Sequence, residues 1–383
     1  ERYDQLIAEW LANDRQSPVE PVRGLTVRHM LDGYRRHAAN HYRKPDGTTT
    51  TGYHNLLLAI EPLERLYGSS PAADFGPRAL RAVRAHMIER GWCRGHINSA
   101  VGKVKLAFRW AASHELVPAG VPQALDTVAG LRKGRTKARE TEPVKPVTDA
   151  DIIAAQPFVS RQVWALIQLQ LLTGARGGEL LTMRSIDLDA TGKVWTYTPA
   201  DHKTAHHGHT RTIYLGPKAQ DVLRPFMPPA RAIDAYLFNP REALAEAKAR
   251  NAKAGRRPDQ KPNPRQTDRT IGDHYTRDSY RRAIARACDQ AFPPPEPLAR
   301  RDGETIEQWH ARLTDRQQAD LKAWQKDHRW HPHQLRHNAA TRIRREFDID
   351  AARLILGHRS ASITEVYAER DQSQAVTIMQ KVG

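Results

Sequence analysis

The feature that most constrains the fold is a break in the helical pattern of the chain between residues 130 and 147. The segment reads GLRKGRTKARETEPVKPV, with two glycines, two prolines and five basic residues from Arg132 to Arg139. This composition is typical of an extended linker. Because 383 residues are enough to form two hydrophobic cores, the sequence predicts one domain on each side of the linker.

The part before the linker has apolar residues at helical spacing and few strand signals. A short amphipathic helix is predicted within residues 1–20, and four or five helices within residues 21–129. Thr26 is a suitable cap for one of them, and another is expected to begin at Pro77 and to stop at Gly91. The first domain is therefore predicted to be all-α.

The charge of the chain points to a polyanionic partner. The formal net charge is +17 with a pI near 10, and the basic residues are spread over the whole sequence. Nucleic acid is the usual partner of such a protein, although a protein that is merely basic stays an alternative. In the linker, the candidates for contacts with phosphates are Arg132, Lys133, Arg135, Lys137 and Arg139.

Other classes of protein fit the sequence less well. No apolar run approaches the length of a membrane span, and the N-terminus lacks the layout of a signal peptide. Cys93 and Cys288 are the only cysteines, so a disulfide framework and a thiolate metal site are not expected. We expect a cytoplasmic protein without a membrane partner, while a further N-terminal module stays open because residue 1 is not methionine.

The second domain, residues 148–383, begins with two predicted helices, of which the second ends at Thr173-Gly174. Arg176 follows in the first turn of the next helix. A basic side chain is disfavoured there by the helix dipole unless an anion lies in front of that terminus. Arg176 is thus a candidate anion-binding residue, with an ordinary surface arginine as the alternative.

Two segments with alternating apolar residues predict a β-hairpin, residues 193–198 and 211–216. Lys203 lies near the tip of the polar loop between them. Four histidines in the loop lack a carboxylate or cysteine partner at ligand spacing, so no metal site is predicted. A basic loop lying in a DNA groove is favoured instead, with His202, Lys203 and Arg211 as DNA contacts.

The C-terminal part brings together His333, Arg336, His358 and Tyr367. Pro332 suits the start of a helix, and Gly357 suits the end of another. Ser362 and Glu365 form a capping box that begins a short helix carrying Tyr367. A phenol has a pKa of about 10 and is a poor nucleophile at neutral pH. A tyrosine among cationic groups therefore indicates attack on an anionic target, for which a phosphodiester is the natural candidate.

A long polar stretch, about residues 241–330, separates the hairpin from this C-terminal part. Within it, Tyr275 to Cys288 is predicted to be a core helix, and a second helix is expected from Glu304 to Gln325. After Tyr367, residues 368–383 form a tail with an apolar stripe, which the residues alone predict to pack on its own domain.

Taken together, the motifs resemble the tyrosine recombinase (phage integrase) family. They occur in the family's order: TGARGGEL at residues 173–180, Lys203, HQLRH at 333–337, LGH at 356–358 and Tyr367. The similarity covers roughly residues 148–371, whereas residues 21–129 resemble the family's core-binding domain in layout only. It implies a mainly α chain with an α+β catalytic domain that carries a small hairpin or sheet, and a two-domain clamp around DNA. Compact members of the family have fewer residues where this chain has 241–330, so the resemblance implies an insertion there. It also implies docking of the tail 368–383 on a neighbouring subunit, as the alternative to packing on its own domain.

The resemblance also implies a role for each matching residue. Arg176 and Arg336 would hold the non-bridging oxygens of the scissile phosphate, and Tyr367 would attack it to form a 3′-phosphotyrosine. Lys203 would protonate the leaving 5′ oxygen, while His333 assists proton transfer and His358 hydrogen-bonds the phosphate. Glu179 is expected to support the site from behind or to be structural, and His337 is expected to pack instead of taking part in the chemistry. No metal or other cofactor is required.

The expected function is site-specific recombination or integration of DNA for a mobile element or phage. The implied partners are duplex DNA, further copies of the chain in a dimer or tetramer on DNA, and accessory proteins that bend DNA or set the direction. Association with the nucleoid follows from these partners. Two alternatives stay open: a type IB topoisomerase, and a DNA-binding protein that has lost catalysis.

Overall fold

The computed structural model describes residues 2–12, 24–44, 47–200, 211–253 and 270–357 of the chain. The chain divides into two compact units, Glu1–Pro143 and Val144–Gly383, and each is described by itself. The first unit is all-α over its described residues, and the second is α+β with one small antiparallel sheet. The predicted fold class is confirmed.

Over its described residues, the first unit has one α-helix within residues 1–20 and five within residues 21–129, of which the last was not located from the sequence. The helices are α1 (Arg2–Ala12), α2 (Val27–His41), α3 (Thr51–Tyr67), α4 (Pro77–Glu89), α5 (Arg94–Ser113) and α6 (Gly120–Asp126). The predicted cap of α2 is present, since the Thr26 hydroxyl accepts a hydrogen bond from the backbone N–H of His29. Ile97, Val104 and Phe108 of α5 are fully buried, and Phe108 stacks on Phe75 with ring centroids 4.8 Å apart. α5 is the centre of the core because it packs against α2, α3, α4 and α6, and burial of each such side chain contributes about 1.5–3 kcal/mol.

The first part of the predicted linker packs on this unit. The Asn98 amide donates to the carbonyl of Leu131 at 3.0 Å and accepts from its N–H at 2.8 Å. Farther along, Ala138 is buried and Arg94 forms an ion pair with Glu140 at 2.6 Å. Composition alone does not reveal these tertiary contacts, which hold residues 131–140 against the first unit.

The second unit is built around one central helix, α8. Its helices are α7 (Asp149–Ala155), α8 (Arg161–Thr173), α9 (Gly177–Leu180), α10 (Pro217–Leu223), α11 (Pro240–Lys253), α12 (Arg277–Ala291), α13 (Ile306–Arg312), α14 (Asp315–His328), α15 (Pro332–Glu346) and α16 (Ile349–Leu356). α8 packs against α10 and α15, and Leu166 and Leu169 are fully buried. The Tyr280 hydroxyl of α12 donates to the buried amide oxygen of Gln170 at 2.9 Å.

The sheet has three strands in the order β1 (Leu188–Asp189), β2 (Trp195–Tyr197) and β3 (Ile213–Leu215). β2 pairs with β3 in antiparallel register, Trp195 opposite Leu215 and Tyr197 opposite Ile213, as the hairpin prediction required. β1 was not predicted because two residues are too few to show an alternating pattern. The loop at 201–210, with Lys203, lies outside the described residues.

The helix predicted from Glu304 to Gln325 is wrong, because this segment forms two helices, α13 and α14. Leu313 is extended and buried between them, and the Thr314 hydroxyl caps α14 by accepting from the N–H of Gln317. The indole N–H groups of two tryptophans hold the pair in place: Trp309 donates to the carbonyl of Leu298 at 2.9 Å, and Trp324 to that of Phe292 at 3.2 Å.

Two further expectations concern the membrane and the cysteines. Among the described helices, none is long and apolar enough to cross a membrane. Cys93 and Cys288 are both free thiols, and burial raises the pKa of Cys288.

Candidate active site

The turn after α8 places Arg176 and needs a glycine at its first position. Gly174 ends α8 in the left-handed conformation, with φ of 65°. A Cβ on Gly174 would lie 2.6 Å from Leu356 Cδ2, so a side chain would meet α16 as well as an unfavourable backbone conformation. The buried Gln170 then donates to the carbonyls of Ala175 and Pro332, both at 3.2 Å, and so joins this turn to the start of α15.

Arg176 is held by a buried carboxylate. It precedes α9 as the N-cap residue, and its Nη1 donates to Glu179 Oε1 at 2.7 Å while its backbone N–H donates to Glu179 Oε2 at 2.9 Å. The Glu179 side chain is only 4% exposed, whereas that of Arg176 is 28% exposed. Tyr197 of β2 anchors the same short helix by donating its hydroxyl to the carbonyl of Glu179 at 2.6 Å. The Arg176 guanidinium is therefore held by Glu179 through Nη1, and its exposed part can meet an anion.

Arg336 lies in the interior, next to the same turn. Its side chain is fully buried on α15, and it donates to the carbonyl of Gly174 at 2.6 Å and to that of Leu356 at 2.8 Å. The guanidinium thus connects the Arg176 turn to the C-terminal end of α16. A role in holding a phosphate stays a prediction for Arg336.

His333 lies one turn before Arg336 on α15, with its residue exposed at the surface. Its ring meets that of His337 edge-on at 5.3 Å and that of His331 at 6.5 Å. Although the residue as a whole is exposed, partial desolvation of its ring, followed by the nearby charges of His337, Arg336, His331 and Arg176, lowers the pKa of His333 to about 4. The imidazole is consequently neutral at physiological pH, so it can either accept or donate a proton. His337 is buried, as its expected packing role requires.

Arg211 is not where a DNA contact would be expected. Its guanidinium is 8% exposed, it donates twice to the carbonyl of Ile355 at 3.2 and 3.1 Å, and its Nε lies 3.9 Å from Glu179 Oε2. Burial lowers its pKa. The sequence did contain a signal for this position, because Arg211 is in phase with the buried Ile213 and Leu215 on the inner face of the strand.

Arg277 is a further cation beside the site, and the sequence did not indicate it. It is an exposed residue in the first turn of α12 and lies against Gly178, because a Cβ on Gly178 would be 2.6 Å from the Nε of Arg277. The paired glycines at 177 and 178 were the available signal, because they leave room for another element to approach the Arg176 turn.

The other predicted residues divide into two groups. His202, Lys203, His358 and Tyr367 lie outside the described residues, as does the tail 368–383. In the linker, Arg132, Lys133, Arg135, Lys137 and Arg139 are all exposed. Arg132 and Arg135 also line a cleft of about 360 Å³ in the first unit, together with Arg81 and Arg84.

No group of three or more potential metal ligands occurs within the part of the chain that the structure describes. The arrangement of Arg176, His333 and Arg336 instead combines cationic hydrogen-bond donors with a neutral imidazole. Such a set suits an oxyanion that bears negative charge, because charge-assisted hydrogen bonds from guanidinium groups are stronger than neutral ones.

In a comparison of the sequence with known families, residues 299–374 match the Phage integrase family, and this segment contains His333, Arg336, His358 and Tyr367. No curated protein sequence matches the chain at a significant level.

The fold is similar to those of solved integrases and recombinases. The Tn1549 transposon integrase, in complex with a circular intermediate DNA, has a TM-score of 0.59 at 17% identity, and the match covers 94% of this chain and 100% of that one. A lambda integrase dimer bound to a COC′ core site gives 0.55 at 14% identity, over 90% and 96% of the two chains. The XerH site-specific recombinase bound to difH substrate gives 0.51 at 11%, over 91% and 82%. At these identities the likeness establishes the fold.

Proposed function

We propose that the chain is a site-specific DNA recombinase of the phage integrase family, whose model matches residues 299–374. In this proposal it cuts and rejoins duplex DNA through a 3′-phosphotyrosine intermediate. The phosphotyrosine keeps the energy of the broken phosphodiester bond, so rejoining needs neither a nucleotide nor a metal. The substrate is the DNA of a mobile element or phage together with its target.

The observation that carries the proposal is the convergence of Arg176, His333 and Arg336 on the turn after α8. Arg336 donates to the carbonyl of Gly174, and Arg176 follows two residues later with its guanidinium partly exposed. Both contribute to the electrostatic environment of His333, whose pKa they lower. Two guanidinium groups beside a neutral imidazole suit a phosphate that gains negative charge in the transition state.

The proposed reaction begins with attack by the Tyr367 oxygen on the scissile phosphorus. The new Tyr367–phosphorus bond forms as the bond from phosphorus to the 5′ oxygen breaks, and Lys203 donates the proton that this oxygen takes up. Arg176 and Arg336 stabilise the negative charge on the non-bridging oxygens. Rejoining reverses these steps with a 5′ hydroxyl from the partner strand as the nucleophile.

His333 and His358 complete the proposed site. With a pKa of about 4 in the free protein, His333 is neutral at physiological pH and can take the phenolic proton during attack. His358 would donate a hydrogen bond to a non-bridging oxygen.

Duplex DNA is the proposed partner, and the surface of the first unit supports it. The exposed basic residues of the linker and the cleft that contains Arg81 and Arg84 would contact phosphates. The two units would close around the duplex as a clamp. Copies of the chain would assemble as a dimer or tetramer on DNA, with accessory bending or directionality proteins, in the nucleoid of the cytoplasm.

A Tyr367→Phe variant tests the proposal directly. The recombination site is first selected from random DNA by binding to the wild-type protein, and is then prepared with a nick that traps the cleaved complex. We expect wild-type protein to form a covalent protein–DNA adduct on this substrate, and the variant to bind equally well but form none, because only the phenolic oxygen is lost. Adduct formation by Tyr367→Phe would overturn the assignment.

The two alternatives make different predictions in the same assay. A type IB topoisomerase would relax supercoiled plasmid that lacks the selected site, and a catalytically silent DNA-binding protein would form no adduct with any tyrosine. We expect adducts only on DNA that carries the site.

A further inference from the structure

Arg211 is a buried cation that contacts two separate parts of the second unit. Its Nη1 and Nη2 donate to the carbonyl of Ile355 at 3.2 and 3.1 Å, and its Nε lies 3.9 Å from the Glu179 carboxylate. A Cβ on Gly357 would lie 2.5 Å from its Nη1, so the guanidinium lies directly against this glycine. A contact with DNA cannot be its main role, because only 8% of the side chain is exposed.

On one side, Arg211 shares a carboxylate with Arg176. Glu179 accepts from the Arg176 side chain with Oε1 and from the Arg176 backbone with Oε2, and Oε2 is the oxygen nearest Arg211. These two hydrogen bonds orient the carboxylate, and the Arg211 Nε lies 3.9 Å from Oε2. Arg211 therefore adds a second positive charge beside the buried carboxylate and favours its ionised form, which is the form that holds the guanidinium of Arg176.

On the other side, Arg211 closes the end of α16. The last carbonyls of a helix have no partner within the helix, and a cation there is favoured by the helix dipole. Arg211 donates both of its terminal nitrogens to one of these carbonyls, that of Ile355. Gly357 ends the helix in the left-handed conformation with φ of 65°, and His358 follows it in the sequence.

We propose that Arg211 is a positioning residue of the active site. It joins the carboxylate that holds Arg176 to the end of α16, and it fixes the distance between them without touching the substrate. In the sequence it also directly follows residues 201–210, which contain Lys203. The inference rests on the proposed recombinase function and adds to it a residue that acts through Glu179 and the α16 terminus.

The test compares Arg211→Met with a matched control, Arg231→Met. Arg231 is also a largely buried arginine of the second unit, 13% exposed, and it donates to the carbonyl of Tyr236 and to the Glu242 carboxylate. The measurements are thermal unfolding, DNA affinity, and the single-turnover rate of adduct formation on the nicked substrate at saturating protein. We expect Arg211→Met to bind DNA like the wild type but to cleave about 10- to 100-fold more slowly, because small misplacements of catalytic groups have effects of that size. Arg231→Met should cleave at the wild-type rate.

A modified substrate separates positioning from a general loss of structure. In a methylphosphonate, a methyl group replaces one charged oxygen of the scissile phosphate, so less positive charge is needed to hold it. We expect the defect of Arg211→Met, relative to wild type, to shrink at least about tenfold on this substrate, because the charge that Arg176 has to balance is smaller. An equal defect on both substrates, or a wild-type rate on the normal one, would overturn the proposal.

Arg211→Lys keeps the inference testable if Arg211→Met does not fold. Lysine preserves the charge near Glu179, but its single nitrogen cannot replace the two-pronged contact with Ile355. We expect a rate between those of the wild type and Arg211→Met, with the same dependence on the substrate. Loss of folding in both variants would overturn the proposal and leave Arg211 a purely structural residue. If wild-type protein forms no adduct, it is the recombinase function itself that fails.

Discussion

Arg176 and Arg336 differ in how they could meet a phosphate. Arg176 is 28% exposed and has one carboxylate partner, so its remaining donors can approach an anion without rearrangement. Arg336 is fully buried, and its terminal nitrogens donate to two main-chain carbonyls. A guanidinium has five N–H donors, so contact of Arg336 with a phosphate oxygen, which stays a prediction, requires one edge of this buried group to become accessible.

At the same scale, the protonation of His333 gives a prediction that does not need turnover. In protein with labelled histidine, assigned with a His333→Gln variant, NMR should place the midpoint of its titration near pH 4 in the absence of DNA. A bound phosphodiester adds a nearby negative charge, which favours the protonated form, so binding of site DNA to Tyr367→Phe should raise the pKa.

The other histidines serve as internal references in that titration. A midpoint of His333 above about 6 in the free protein would be close to an ordinary histidine and would contradict the environment described for the ring.

At the scale of elements, the turn between α8 and α9 depends on Gly174. We expect Gly174→Ala to lower the free energy of unfolding by about 1–3 kcal/mol, because alanine is strained in the left-handed region and its Cβ would also press on Leu356. Urea unfolding measures the change. Gly216→Ala is the control in the same unit, since its Cβ would meet open space and φ is −70°. Equal stability of Gly174→Ala and the wild type would show that this turn tolerates a side chain.

Elements with local signals were predicted well from the sequence. The start of α15 at Pro332, the ends of α8 and α16 at glycines, and the caps of α2 and α7 all follow from residues within one turn of the boundary. Boundaries that depend on distant partners were missed. The break between α13 and α14 depends on burial of Leu313, and the packing of Leu131 depends on hydrogen bonds with Asn98 of α5.

The site shows the same division between local and distant information. Motifs identified Arg176, His333 and Arg336, and the structure brings these three together around the turn at Gly174. Arg211 was interpreted as a DNA contact because a basic residue beside a polar loop suggests an exposed one. Only the tertiary structure reveals that Ile355, more than a hundred residues away, receives its hydrogen bonds.

At the scale of the whole molecule, the net charge of +17 predicts strongly salt-dependent DNA binding. Each phosphate contact releases a condensed counterion, so log K should fall with log salt with a slope of about −4 or steeper if about five phosphates are contacted. Fluorescence anisotropy between low and physiological salt measures this slope on site DNA.

The linker residues provide a matched pair for that measurement. Replacing the exposed Arg132 and Lys133 by glutamine should make the slope of log K against log salt less negative, by the amount that about two phosphate contacts contribute. The same change at Arg316 and Lys322 of the insertion, also exposed, should leave it unchanged. A flat response in the wild type would remove the basis for a clamp around the duplex.

The two carbonyl bonds of Arg336 have a consequence for genetics. Truncating this residue would remove the donors of two buried carbonyls, and each unsatisfied group costs about 1–3 kcal/mol. In a cell, a loss of that size lowers the amount of protein as well as its chemistry, because partly unfolded chains are degraded. The recombination defect of an Arg336→Ala allele would therefore combine a lower amount of protein with a lower activity. An allele that reports on recombination alone should carry a substitution of the proposed nucleophile, Tyr367.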